Sequence, residues 1–202
     1  IIVLNCETDF VAKNDNFIAF AKSILDIAIN EKPKDLNALK ELNLGDKTIS
    51  EAVVEQIGVI GEKLDLSHYE KINDQKVVAY IHPGNRLATI VGFNQSEVEV
   101  QVAKDIAMQV AAMEPVAIDK DGVPQDIVDE ELKIGREKAR LEGKPENMLD
   151  KIAMGRLGKF FKESTLLNQA FIKDSKKSVK QYLQESNKDL TVTAFKRFTL
   201  NV

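Results

Sequence analysis

Most of the residue sets that announce chemistry are missing from this chain. Among 202 residues there is one cysteine, Cys6, there are two histidines, His68 and His82, and ten glycines lie scattered rather than gathered in a loop. A lone cysteine forms no internal disulfide, which suits a reducing compartment, and it reads most simply as a small buried apolar residue on the first strand. Two histidines without a cysteine pair make a poor zinc set, so no metal site is expected. Neither a phosphate-cradling loop nor a dinucleotide fingerprint assembles from dispersed glycines, and no cofactor is expected. No apolar run approaches the roughly 20 residues that span a bilayer, and no charged-then-apolar leader opens the chain; a cytoplasmic protein without a membrane is expected. A basic excess is missing too. Lys and Arg number 28 against 32 Asp and Glu, a net charge of -4, and the one basic cluster of note is Lys173-Asp174-Ser175-Lys176-Lys177. Phosphate contacts need clustered cations, so nucleic acid is not expected as a direct partner.

What is present is an ordinary globular composition, 44% hydrophobic and 30% charged, long enough for one or two domains with a real core. Ile1 to Leu4 reads as a buried strand, which then breaks into Asn5-Cys6-Glu7-Thr8-Asp9-Phe10-Val11. Turns favour residues that tolerate unusual backbone angles or bond their own backbone, and a large apolar ring does neither. Phe10 is therefore either tucked into this protein's core or offered to another protein's, and the residues alone lean to the core.

Apolar steps of three and four at Phe17, Phe20, Ile24 and Ile27 predict a helix capped by Asn14 or Asp15 and ended by Lys32-Pro33-Lys34-Asp35. A short helical piece from Asp35 to Leu42 leads into the turn Leu44-Gly45-Asp46-Lys47. Thr48 to Glu51 is a capping box ahead of Ala52, Val53, Ile57 and Ile60, and that helix stops at Gly61. Three strand-like runs follow, Lys63 to Ile72, Lys76 to Ile81 and Arg86 to Phe93. Their short connections predict antiparallel neighbours, with Pro83-Gly84 at the centre of a type II turn and His82 exposed at the corner. That arrangement also sets His68 and His82 on adjacent strands.

Ser96 to Glu99 reads as another capping box, opening a helix with Val102, Ala103, Ile106, Val110 and Met113 inward and Pro115 at its end. Between Ile118 and Leu166 two helices flank Glu142-Gly143-Lys144-Pro145, with Val128, Leu132, Gly135 and Ala139 facing Leu149, Ile152, Ala153, Leu157 and Phe160. Residues Ser175 to Glu185 form a last helix, and Leu190 to Leu200 a strand. The pairs Lys104-Asp105 and Lys176-Lys177 read as solvated faces. The fold class is α+β: two small antiparallel sheets backed by helices, with an inserted antiparallel helical hairpin. The expected domains are an N-terminal core subdomain, 1-95, a C-terminal one, 96-117 with 167-202, and the hairpin, 118-166.

Several of these segments together resemble bacterial elongation factor Ts. The resemblance is carried by Thr8-Asp9-Phe10-Val11, Val59-Ile60-Gly61-Glu62, Tyr80 to Arg86 and Asp105 to Pro115. It continues through Glu142-Gly143-Lys144-Pro145, Gly155 to Phe161 and Leu166 to Ile172, in the family's order over nearly the whole chain. Leu87-Ala88 and Ala170 depart from the family pattern. The resemblance implies a nucleotide exchange factor, not an enzyme of covalent chemistry, acting on the GTPase elongation factor Tu. Thr8 to Val11 would enter the GTP-binding domain, disturb its magnesium site and loosen GDP. By position it adds Ile60, Gly61, His82, Ile172 and Lys173 as further partner contacts, although Ile60 also fits its helix's apolar spacing. It makes residues 118-166 a dimerisation or protruding module, where a core hairpin is the other reading, and it places a small helical domain ahead of Ile1. With that domain implied, and a start without methionine in mid-strand, the sequence is expected to be a fragment. Two rival functions stand beside this one: a non-catalytic scaffold that recruits a protein through the hairpin, and a hydrolase using His82 with a carboxylate, for which no nucleophile pattern is readable.

Overall fold

Helices and short strands form largely where apolar spacing and turn residues place them, in a computed structural model that describes residues 1–200. The chain divides into two compact units. The first takes residues 1–72 with residues 81–88 and 199–200; the second takes residues 73–80 and 89–198. The class is α+β, helices with small antiparallel sheets.

The first unit opens with β1 (Ile2–Asn5), a one-turn helix α1 (Asp9–Ala12) and the long α2 (Asp15–Glu31). Then come α3 (Leu36–Lys40), the two-residue strands β2 (Asn43–Leu44) and β3 (Lys47–Thr48), α4 (Ile49–Ile60) and β4 (Asp65–Tyr69). Asn14 caps α2 by accepting the amides of Asn16 and Phe17. The Thr48–Glu51 capping box starts α4, and left-handed Gly61 (φ 78°) ends it. Phe17, Ile24, Leu39, Ile49, Val53, Leu64 and Leu66 form the core of this unit.

Two expectations change here. β4 pairs antiparallel with β1, Ile2 opposite Tyr69 and Asn5 opposite Asp65, instead of continuing the sheet of the strands that follow it. His68 and His82 are therefore not on neighbouring strands. A partner strand some sixty residues back in the chain can satisfy the β4 ladder as well as the next strand can, and chain proximity does not reveal it. Within β1 only Val3 is fully buried, while Ile2 and Leu4 are half-buried and pack on the first unit's core; Cys6 lies just past the strand, also half-buried against that core, with its thiol toward the Thr8 carbonyl at 3.3 Å.

The second unit holds a three-stranded sheet in the order β5 (Lys76–Ile81), β6 (Leu87–Phe93), β9 (Val192–Thr199). Against its core lie α5 (Val100–Met113) and α8 (Val179–Ser186). Between them in sequence come α6 (Gln125–Leu141), α7 (Leu149–Ser164) and the small hairpin β7 (Ala170–Phe171) with β8 (Asp174–Ser178). Val91, Phe93, Val102, Ile106, Val110, Leu166, Val179 and Leu183 are buried together. The helical hairpin closes on small residues. A Cβ on Gly135 would lie 3.0 Å from the Cα of Ala153, so the helices meet there because no side chain intervenes.

Three further corrections belong to this unit. Ser96–Glu99 makes no capping box: α5 starts at Val100 with Glu99 as an N-cap that offers no side-chain bond, since Val98 is buried in extended chain ahead of the helix. Met113, expected inward, is exposed at the last turn. Ser175 to Ser178 is strand rather than helix, paired with β7, and Ser178 then caps α8 in a box with Gln181.

Candidate functional site

Thr8 determines how the acid-aromatic pair is presented. Its backbone is extended (φ -117°, ψ 154°) and its hydroxyl accepts the amide of Val11, so it caps α1 and turns Asp9 to Ala12 into a single helical turn. Successive side chains on a helix point roughly 100° apart. Val11 is half-buried against the first unit's core, while Phe10 stands out with 83% of its surface exposed. The core alternative for Phe10 is thereby set aside. Asp9 pairs with Lys13 across one turn at 2.7 Å. The hydrogen bond and charge of Lys13, with a smaller contribution from Arg86, hold the Asp9 carboxyl below its usual range, so it is ionised at neutral pH.

The base of this prong is tied down by Glu62, immediately after Gly61. One carboxylate oxygen accepts the amides of Glu7 and Thr8 at 3.1 and 3.0 Å, and the other accepts the Thr8 hydroxyl at 2.5 Å. In return the Glu7 carboxylate accepts the amide of Lys63 at 3.2 Å. The Thr8 hydroxyl first, then the Thr8 and Glu7 amides, lower the Glu62 carboxyl below its ordinary range. Sequence reasoning quoted Glu62 only as part of a matching block. Its role depends on two segments more than fifty residues apart lying side by side, and no local spacing signals that.

The structure brings Thr8, Asp9, Phe10, Val11, Ile60 and Gly61 into one neighbourhood of the first unit through that tie. Ile60 is half-buried and packs on the core, as its helical spacing suggested, while Gly61 is exposed. His82 is exposed at the turn between β5 and β6, where its amide donates to Leu87 and its carbonyl accepts from Asn85. Gly84 takes the positive φ, 94°, that the third position of a type II turn requires. Among the described residues no group of three or more His, Cys, Asp or Glu is placed to hold a metal ion, and no helix is long and apolar enough to cross a membrane.

Ile172 and Lys173 belong to the second unit, as the two-residue loop joining β7 and β8. Both are exposed, and α5 holds the loop through a polar ladder. Gln109 accepts the Ile172 amide at 2.9 Å and donates to the Ala170 carbonyl and to Gln169, each at 3.1 Å. One turn earlier Asp105 accepts from Lys173 (2.7 Å), Tyr182 (2.9 Å) and Gln101 (2.7 Å). Asp105 is thus a buried acceptor, correcting its reading as part of a solvated face; what it offers is a socket for the loop. Burial pushes its carboxyl upward, but the bonds from Lys173, Tyr182 and Gln101 outweigh burial and leave it below the ordinary value. Conversely, burial and the Asp105 carboxylate raise the Tyr182 hydroxyl well above its own. The ring of Phe171 stacks on Tyr182 at 4.0 Å, completing the anchor. The i, i+4, i+8 spacing of Gln101, Asp105 and Gln109 was the available signal, hidden because it shares a helix with an apolar stripe.

Comparison with known proteins bears on the whole chain. A family model described as Elongation factor TS matches residues 7–202. Elongation factor Ts of Porphyromonas gingivalis is 53% identical over 202 residues, covering all of this chain and 73% of that protein. The protein of the same name from Amoebophilus asiaticus is 49% identical over 199 residues (98% of this chain and 72% of the relative), and that of Flavobacterium psychrophilum 43% over 201 (99% and 73%).

Proposed function

The chain belongs to the elongation factor Ts family, and from that premise we propose that it releases GDP from the GTPase elongation factor Tu, with Thr8, Asp9, Phe10 and Val11 entering the GTP-binding domain. Nucleotide exchange on elongation factor Tu during translation is the known role of that family. The observation that carries the reading to these residues is Phe10, an aromatic ring left 83% exposed on a capped and tied helical turn.

The mechanism is linkage. If the exchange factor favours the nucleotide-poor conformation of the GTPase, nucleotide weakens the exchange factor by the same free energy, and this chain makes or breaks no bond. Phe10 supplies a ring that disturbs the magnesium and phosphate site, and ionised Asp9 supplies a carboxylate beside it. A thousandfold weakening of nucleotide, taken as an illustration, corresponds to about 4 kcal/mol. Burying a phenylalanine contributes about 1.5–3 kcal/mol, part of it offset by deforming the partner. Further contacts must share the task, and Ile60, Gly61, His82, Ile172 and Lys173 are the residues assigned to it. The setting is the cytoplasm. The three-part organisation, 1-95, 96-117 with 167-202, and 118-166, assigns the last segment to self-association as a homodimer; exposed Leu141 and Met154 on its helices supply apolar surface for that.

Stopped-flow release of a fluorescent GDP from elongation factor Tu, with and without this chain, tests the reading. Acceleration supports it. Binding without acceleration transfers the function to a scaffold acting through the hairpin.

A further inference from the structure

We propose that Glu62 is a positioning residue for exchange: its carboxylate, together with that of Glu7, forms a clasp that sets the direction of Phe10. The inference rests on the prong reading above and adds to it the part that keeps the prong rigid. The four-residue helix that carries the ring has little packing to hold it: none of its residues is fully buried, and half-buried Val11 is its contact with the core. Helical turns this short do not persist alone, because nucleation fixes several backbone angles for very few hydrogen bonds. Something outside the turn must fix it. Glu62 does so by accepting three donors at the turn's N-cap and the residue before it, the hydroxyl and amide of Thr8 and the amide of Glu7. The Thr8 hydroxyl that donates to Glu62 is the same oxygen that accepts the Val11 amide, so the clasp also orients the helix cap. Glu7 closes the return half by accepting the Lys63 amide. A strand pair would do the same job with backbone alone. Here β1 stops at Asn5 and β4 begins at Asp65, so carboxylates bridge the gap that the ladder leaves. Left-handed Gly61 turns the chain out of α4 just before Glu62, which explains why the bridge falls there.

The prong gains from such rigidity because a ring that is already aimed loses less freedom when it enters a partner. Glu62 touches neither nucleotide nor GTPase in this account; it acts through Phe10. The experiment is a double-mutant cycle on GDP release from elongation factor Tu with Glu62→Ala, Phe10→Ala and both, alongside hydrogen exchange at the amides of Val11, Ala12 and Lys13. The expected result is that Glu62→Ala lowers kcat/KM for exchange about tenfold, roughly 1.4 kcal/mol. It should open those amides, leave the thermal midpoint nearly unchanged, and add nothing once Phe10 is already alanine. Glu62→Gln keeps one carbonyl oxygen for the Glu7 and Thr8 amides but turns an NH2 donor toward the Thr8 hydroxyl, so it should recover only part of the rate. An equal loss from Glu62→Ala in the Phe10→Ala background overturns the proposal, because Glu62 then acts as a contact in its own right. So does wild-type exchange in Glu62→Ala when Phe10→Ala is slow. If Phe10→Ala itself leaves exchange unchanged, the prong reading fails and the clasp is judged by amide exchange alone: opening of the three amides in Glu62→Ala upholds it, and unaltered protection ends it.

Discussion

Phe10 and its neighbour Val11 show how one step along a helical turn separates a function from a core contact. Val11 is half-buried against the first unit's core, whereas Phe10 contributes nothing to it. Replacing Phe10 by alanine should therefore slow GDP release severalfold or more while shifting the thermal midpoint by less than about 1 °C; calorimetry beside the release assay checks both. A large fall in melting temperature would place the ring in the core after all. Ile24 marks the contrast. It is fully buried, and Ile24→Ala should cost about 2–5 kcal/mol by denaturant titration, with exchange lost only as the fold is lost. The acid-aromatic pair was legible as unusual, but its outward direction was not, because direction depends on where a one-turn helix starts, and Thr8 and Glu62 decide that together.

At the scale of elements, caps and small-residue contacts carry much of the specificity. The Thr48–Glu51 and Ser178–Gln181 boxes each satisfy amides at a helix start that would otherwise face solvent or core without a partner. Thr48→Ala should cost about 0.5–2 kcal/mol, read as a shift in denaturant midpoint with an unchanged slope. In the helical hairpin, Gly135 lets α6 approach Ala153 on α7. Gly135→Leu forces the two apart and should cost about 1–3 kcal/mol, seen as selective loss of amide protection in both helices. The hairpin was readable in the sequence because its apolar and small residues step at helical intervals on both sides of Gly143-Lys144-Pro145. The Ser96–Glu99 motif shows the limit of such reading: a residue pattern able to cap a helix remains uncapped when a neighbour, Val98, is buried first.

Over the molecule as a whole, pH dependence follows from the carboxylates the fold has captured. Asp105 binds its proton less readily folded than unfolded, so its ladder to Lys173, Tyr182 and Gln101 stabilises the second unit above the ordinary carboxyl value of 3.8 and is lost as pH falls below it. Asp119, which accepts from Asn168 at 2.7 Å, shifts in the same direction against its own burial. The thermal midpoint should therefore fall as pH drops through about 4 and below. Asp105→Asn should flatten part of that slope and lower the midpoint at pH 7, since Lys173 loses its ion pair and a buried acceptor is weakened.

The sequence by itself determined the local events: where helices α2 and α4 begin and end, the turn at Pro83-Gly84, the facing small residues of the hairpin, and the family. Each depends on residues a few positions apart, and the spacing of apolar side chains and backbone angles is written at that range. Tertiary structure alone decided that β4 joins β1, that Glu62 holds Thr8, and that Asp105 is a buried socket rather than a surface charge. These are pairings between segments tens of residues apart, chosen by which partners can meet in space and satisfy each other's donors and acceptors, and no local pattern encodes that choice.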